Sequence, residues 1–303
     1  MVRRNFIKSI YIGSSLFVLG KSTAACSTAP ISLKFGLITD LHYAQNEISG
    51  SRHYKDSLNK LKKAMDVFEK NGLDFVIELG DFKDQSQVPN NIETLTFLDK
   101  IETVYQSYNL EAYHVLGNHD MDSISKSDFL DHTSNPGEAK GKSYYSFVKN
   151  GVKCIVLDAC YNLDGSDYNS GNFDWTKALI PEVEKTWLQR ELSEGKEPIL
   201  VFVHQLLDIN SDINNVLCIT NALDITNMLE KCRRVLAVFQ GHHHAGHYEI
   251  HNGIHYFTMK GSIEGSFPER NSYATVEVTP QGDIYLTGYA DCVDKIMKKT
   301  SNV

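Results

Sequence analysis

The sequence predicts an α/β fold: a four-layer αββα sandwich in which two mixed β-sheets face each other, flanked by helices. Three observations carry that expectation. Between residues 31 and 116, apolar β runs alternate with segments of helical period, the order that gives parallel strands joined by right-handed crossovers. From Tyr144 onward the chain is β-rich and punctuated by Asn-Gly pairs, which suit tight hairpins. Finally, five β runs stop at small clusters of Asp, Asn or His. In open α/β sheets the ligand site lies at the carboxyl ends of the strands.

Taken in order, Ile31 to Thr39 reads as a strand running straight into Asp40-Leu41-His42. Asp56 to Asn71 carries Leu58, Leu61, Ala64, Met65 and Phe68 at helical spacing, with Asn71-Gly72 as its stop. Phe75-Val76-Ile77 is a buried strand ending in Gly80-Asp81, and Ile92 to Tyr108 repeats the helical pattern. Ala112 to Leu116 is the third strand and ends in Gly117-Asn118-His119-Asp120. Tyr144 to Phe147 and Val152 to Leu157 flank Asn150-Gly151 as a hairpin. Gly165 to Gly171 is polar and small, a loop and a candidate rim of the site. Pro181 to Leu192 is an amphipathic helix with proline near its start. Ile199 to Val203 delivers His204, and a short helix from Ala222 to Lys231 follows. Val235 to Phe239 then delivers Gly241-His242-His243-His244. The tail holds strands at 248–251, 254–259, 273–278 and 284–289.

With 303 residues and a formal net charge of −8, the chain has the length of one large domain, and its acidity disfavours nucleic acid as a partner. Residues 1–26 read as an export signal: Arg3-Arg4-Asn5-Phe6-Ile7-Lys8, a short apolar stretch, then small residues up to Cys26. Arg-Arg-x-Phe-Ile-Lys resembles a twin-arginine signal, and Thr23-Ala24-Ala25-Cys26 resembles a lipoprotein cleavage site. The expectation is an exported protein, periplasmic or held at a membrane by a lipid on Cys26, with one domain over 27–303. The other five cysteines form no CxxC and are irregularly spaced, so neither a zinc ribbon nor a disulfide framework is indicated; most read as buried thiols, with a Cys218–Cys232 pair left open.

The strand-end clusters define the chemistry. Asp, His and Asn suit Mn, Fe, Zn or Mg rather than the soft thiolate-bound metals. A strand sends alternate side chains to one face, so continued extension would bring His242 and His244 to one point. A carboxylate has two oxygens and can bridge two ions. Two divalent ions roughly 3.5–4 Å apart share a water and lower its pKa, giving a hydroxide near neutral pH. Such a pair suits hydrolysis of a phosphoester or phosphoanhydride.

Asp-x-His, Gly-Asp, Gly-Asn-His-Asp, a lone His and Gly-His-x-His, in that order over residues 40–244, resemble the calcineurin-like metallophosphoesterases. The resemblance implies one metal on Asp40, His42 and His244 and a second on Asn118, His204 and His242, with Asp81 bridging. It further implies that His119 is a non-ligand acid paired with Asp84. Arg52 to Leu58, Tyr144 to Phe147, Val156 to Ala159, Gly241 to Tyr248 and Lys260 to Glu264 are similar to the manganese-dependent ADP-ribose/CDP-alcohol diphosphatases. That likeness implies manganese, with iron or zinc as alternatives, and a small phosphorylated substrate. His42, Asp120 and His243 stand where that subfamily has Gln, Glu and Asp. A broader phosphodiesterase or a phosphomonoesterase is the alternative, and a non-catalytic scaffold is a third reading.

Several residues have competing roles. Arg52 and His53 are candidate phosphate contacts, or a solvated helix start. His243 is either exposed or in contact with substrate. His114, His132, His247, His251 and His255 read as surface or internally satisfied histidines. Asp120 reads as loop geometry. Tyr43, Tyr161 and Phe267 are either base-stacking residues or core.

Overall fold

The computed structural model describes residues 32–209 and 215–300. The expected export signal and Cys26 lie outside them. Five helices are present among the described residues: α1 (Ser57–Lys70), α2 (Asn91–Tyr105), α3 (Lys126–His132), α4 (Glu182–Ser193) and α5 (Ala222–Cys232). None is long and apolar enough to cross a membrane.

The first six strands are β1 (Leu33–Ile38), β2 (Phe75–Glu78), β3 (Ala112–His114), β4 (Tyr145–Lys149), β5 (Val152–Val156) and β6 (Ile199–Phe202). The rest are β7 (Val235–Gln240), β8 (His247–His251), β9 (Ile254–Thr258), β10 (Ser272–Val278), β11 (Ile284–Ala290) and β12 (Lys295–Met297). They form two six-stranded sheets, β12-β11-β10-β1-β2-β3 and β4-β5-β6-β7-β9-β8. Both are mixed: β1-β2-β3 and β5-β6-β7-β9 pair parallel, while the outer neighbours pair antiparallel.

The sheets meet through an aromatic core. Phe35 of β1 stacks on Phe75 of β2 at 5.0 Å and meets Phe202 and Phe239 of the other sheet edge-on at 5.6 and 5.7 Å. Offset and edge-to-face contacts add to the area these rings bury. The helices pack by one face; α1 buries Leu61, Ala64, Met65 and Phe68. Asn150-Gly151 and Asn252-Gly253 both take positive φ, which lets two-residue turns match strand twist.

Two elements add to the expected set. One is α3, opened by a reciprocal capping box between Ser125 and Asp128. The other is the three-residue edge strand β12. The second helix also stops before Tyr108: at Gln106 and Ser107 the chain leaves it in a turn. Cys218 and Cys232 do not pair; both are free, each directed at a backbone carbonyl. Tyr43 and Tyr161 are core residues.

Candidate metal centre

The loops that follow β1, β2, β3, β6, β7 and β9 are knitted into one layer by their backbones. Asp40 and His42 donate N–H bonds to Gly80 and Asp81 carbonyls at 3.0 and 2.8 Å, and Gly241 donates to His204 at 3.0 Å. Ser262 and Ile263 donate to Thr39 and Asp40 at 3.0 and 2.9 Å. The packing is close enough to require glycine: a Cβ on Gly117 would stand 2.2 Å from Asp81 N, and one on Gly241 2.3 Å from Thr39 Oγ1. Asp40, His42, Asp81 and His242 all adopt left-handed backbone, with φ of 51°, 46°, 54° and 65°. Such residues cost roughly 1–3 kcal/mol each and persist where the surroundings hold them.

Two donor sets result. Asp40, His42 and His244 each offer an atom within 4.8 Å of the others, and Asp81, His204 and His242 do the same. His244 Nε2 lies 3.2 Å from both Asp40 Oδ1 and His42 Nε2. In the second set, His204 Nε2 lies 3.2 Å from Asp81 Oδ2. His242 and His244 therefore separate into different sets instead of converging. The reason is local: β7 ends at Gln240 and the left-handed His242 breaks the alternation.

Asp81 joins the sets through a single oxygen. Oδ1 accepts the His119 backbone N–H at 2.8 Å, while Oδ2 faces His42 Nε2 at 3.5 Å and His204 Nε2 at 3.2 Å.

The donors fit divalent cations. Asp40 Oδ1, Asn118 Oδ1, His204 Nε2 and His242 Nε2 are buried without a hydrogen-bond partner, a costly state unless something else satisfies them. In His204 and His244 the far ring nitrogen is already engaged. His204 Nδ1 donates to the Leu79 carbonyl at 2.7 Å, and His244 Nδ1 meets Glu264 Oε1 at 2.6 Å. Such outer partners fix the tautomer that turns Nε2 toward a metal.

The electrostatics agree. Burial opposes ionisation of Asp40 and Asp81, yet the facing histidines hold both carboxyls well below the usual range. Against the same burial, Asp81 and Asp40 lift His204 and His244 to about 9. His242, buried beside His204, falls to about 3. Metal binding requires such ligands to be deprotonated, so protons and divalent ions would compete for this cluster.

His119 stands beside both sets, its ring edge-on to His42 at 4.7 Å and 29% of its side chain exposed. Its near partner is Asp122, with Nδ1 to Oδ2 at 2.7 Å; Asp84 Oδ1 is 3.7 Å away. Asp84 Oδ2 lies nearer to His42 Nδ1, at 3.3 Å. Asp122 is thus the nearer partner of His119, and Asp84 lies between the His119 and His42 rings, within reach of both. Burial disfavours the imidazolium, but Asp81, Asp122 and Asp84 raise its pKa well above the ordinary value.

Asp120 is loop geometry, as expected. Its carboxylate accepts N–H bonds from Gly117, Asp81 and Phe82 at 2.8, 3.1 and 2.9 Å. Arg52 pairs with Glu264 through its backbone in an isolated antiparallel β-bridge, and against burial its pKa is raised, mainly by Tyr54 and less by Asp84 and Asp81. His53 lies 3.5 Å from Asp56 and lines a separate cavity of about 300 Å³ with Asn46, Ile48 and Tyr54. His243 is half-buried in the turn, and burial lowers its pKa. Trp175, 42% exposed, sets its ring edge-on to His242 at 5.7 Å. Trp175 belongs to the helical turn Trp175–Lys177, after the Gly165–Gly171 loop expected as a rim.

The remaining histidines have partners elsewhere. His114 is buried between Glu78 and Glu102 at 2.9 and 3.0 Å, His132 meets Asp99 at 2.6 Å, and His255 takes Tyr248 Oη and the Lys298 carbonyl. His247 lies 3.9 Å from Glu249, and His251 packs edge-on to Tyr256.

Two clusters of oxygen and imidazole donors that face one carboxylate oxygen, with a carboxylate-paired histidine alongside, fit a two-metal phosphoryl hydrolase. The chain belongs to the calcineurin-like phosphoesterase family, whose model matches residues 33–246. It is similar to the manganese-dependent ADP-ribose/CDP-alcohol diphosphatase of Arabidopsis thaliana, 23% identical over 272 residues, covering 76% of this chain and 86% of that protein. The Danio rerio protein of the same name is 22% identical over 296 residues, covering 80% and 90%. Among solved structures, a dimetal phosphatase from Danio rerio shares the fold with a TM-score of 0.76 at 19% identity, covering 88% of this chain and 99% of that one.

Proposed function

We propose that this protein hydrolyses the phosphoanhydride of nucleotide diphosphate conjugates of the ADP-ribose or CDP-alcohol kind, with manganese as its preferred ion. The observation that carries the reading is Asp81 Oδ2 facing both donor sets, together with two similar proteins whose names state that activity and that metal.

Asp40, His42 and His244 would hold one ion, and Asn118, His204 and His242 the other, with Asp81 between them. When bound, the pair supplies charge neutralisation at the phosphoryl oxygens and a water activated near neutral pH. The chain's own residues do the rest. His119, its pKa raised by Asp81, Asp122 and Asp84 against burial, would give a proton from Nε2 to the departing oxygen. Asp122 holds Nδ1 and so aims Nε2 outward. Arg52 brings a fixed positive charge toward the phosphates. Trp175 offers an exposed ring edge beside His242 for a base or sugar.

The test is hydrolysis by the mature protein, with Cys26 replaced and Mn²⁺ added. The panel holds ADP-ribose, CDP-choline, a cyclic nucleotide, a bis-aryl phosphate and an aryl monophosphate, with His119→Ala alongside. Selective release of AMP or CMP is expected, lost by roughly 10²-fold in the variant. Turnover confined to the aryl diester or the cyclic nucleotide would replace this substrate with a general phosphodiester. The same proposal includes export of the folded protein and lipidation of Cys26. Replacing Arg3 and Arg4 by Lys should leave precursor inside the cell, and Cys26→Ser should release the mature protein from membranes.

A further inference from the structure

We propose that Lys60 is a positioning residue for one of the two metal sites: it ties the Ser262–Gly265 segment to α1, and through Glu264 it sets the affinity of the site containing His244. Lys60 lies in α1 and is fully buried, and among the described residues its ammonium makes no ion pair with a carboxylate. Its ammonium donates instead to three main-chain carbonyls, Ser262 at 2.8 Å, Glu264 at 3.2 Å and Gly265 at 2.6 Å. An ammonium has three N–H donors and no acceptor, so the three carbonyls exhaust it. Burial draws it down to about 8, with Asp56 and Glu264 acting against that, so it remains the charged form at neutral pH.

The segment it grips reaches the metal centre by two routes. Its Ser262 and Ile263 amides bond to Thr39 and Asp40 carbonyls. Its Glu264 carboxylate meets His244 Nδ1 at 2.6 Å. The second site lacks an equivalent, because His204 is oriented by the Leu79 carbonyl within the sheet edge. A change at Lys60 should therefore be felt by one ion and not the other. Outer partners of metal ligands are worth 10–100-fold in affinity, and an effect relayed through one of them belongs at the lower end.

The proposal rests on the two-metal reading but on no particular substrate; absence of Mn²⁺ binding by the wild-type protein would sink that reading before any variant is compared. The experiment is a calorimetric Mn²⁺ titration of metal-stripped mature protein in a double-mutant cycle of Lys60→Met and Glu264→Gln. Lys60→Met should weaken one of the two ions about tenfold and leave the other within twofold. In the Glu264→Gln background the same substitution should change neither by more than twofold. Equal weakening of both ions, no weakening, or an effect that persists undiminished without the Glu264 carboxylate would overturn the proposal. Lys60→Gln, which retains an N–H donor, serves for the same cycle should Lys60→Met not fold, with a smaller loss expected at the same single site.

Discussion

His119 has two carboxylates within reach, and their positions assign them different work. Asp122 contacts Nδ1 at 2.7 Å, whereas Asp84 is nearer to the Nδ1 of His42. Asp122→Asn should therefore cut turnover of substrates with poor leaving groups by roughly 10-fold or more while Mn²⁺ affinity stays within twofold, because it disturbs the acid alone. Asp84→Asn should weaken the ion held by His42 by roughly 10-fold through that ligand's outer contact. Paired turnover and Mn²⁺ titrations check both; a larger turnover loss in Asp84→Asn at saturating metal would restore Asp84 as the acid's partner. At Asp81 one oxygen faces both sets, so Asp81→Asn should weaken both ions together. Retention of two ions at wild-type affinity would show that the bridge lies elsewhere. Asp40, Asp81 and His204 were legible in the sequence because few side chains can serve as hard donors. Asp122, Glu264 and Trp175 were not, because a residue that supports a ligand is chosen by its place in space and follows no spacing. For Asp122 a signal existed: it lies three residues after His119, where the short helical turn from Asn118 to Met121 brings it back to the ring.

At the scale of elements, the position of the Gly80-Asp81 turn depends on a buried polar group behind it. Glu78, the last residue of β2, accepts the Gly80 N–H at 2.8 Å through Oε2 and gives Oε1 to His114 of β3. Glu102 of α2 takes the other ring nitrogen. Burial alone would lower His114; the two carboxylates raise it to about 10. A histidine raised in the folded state gives stability that is full below its unfolded pKa, near 6.5, and is lost as pH rises through the folded value. The wild-type protein should therefore lose melting temperature relative to His114→Gln as pH is raised from about 6.5 to about 10. Melting curves at constant ionic strength would show it, and a pH-independent gap between the two proteins would refute it. The long helices and buried strands were legible because period and apolar runs extend over several turns or residues. In contrast, α3 has seven residues and β12 three, too few for a period to emerge. The Ser125-x-x-Asp128 box was the one local cue for α3.

Across the whole molecule, the centre is where the sheets' order and the loops' strain meet. Each sheet contributes ligands from the ends of its own strands, Asp40, Asp81 and Asn118 from one and His204, His242 and His244 from the other. Bound ions would therefore cross-link the two sheets as well as serve chemistry. Four of the proposed ligands hold left-handed backbone, and several buried donors lack partners, unfavourable terms that bound metal would relieve. An ion present at about a hundredfold its dissociation constant stabilises the folded state by about 2.7 kcal/mol. For a domain of this size that corresponds to roughly 5–10 °C in melting temperature per ion. Chelation should accordingly lower the midpoint by roughly 10–20 °C for two ions, and Mn²⁺ should restore it. Asp81→Asn, lacking the shared oxygen, should show less than half of that recovery at the same Mn²⁺ concentration. A chelated protein that melts at the wild-type temperature would mean that the two sheets are held by their aromatic core alone. In that case the strain in the ligand loops would be carried by the hydrogen bonds that knit them together.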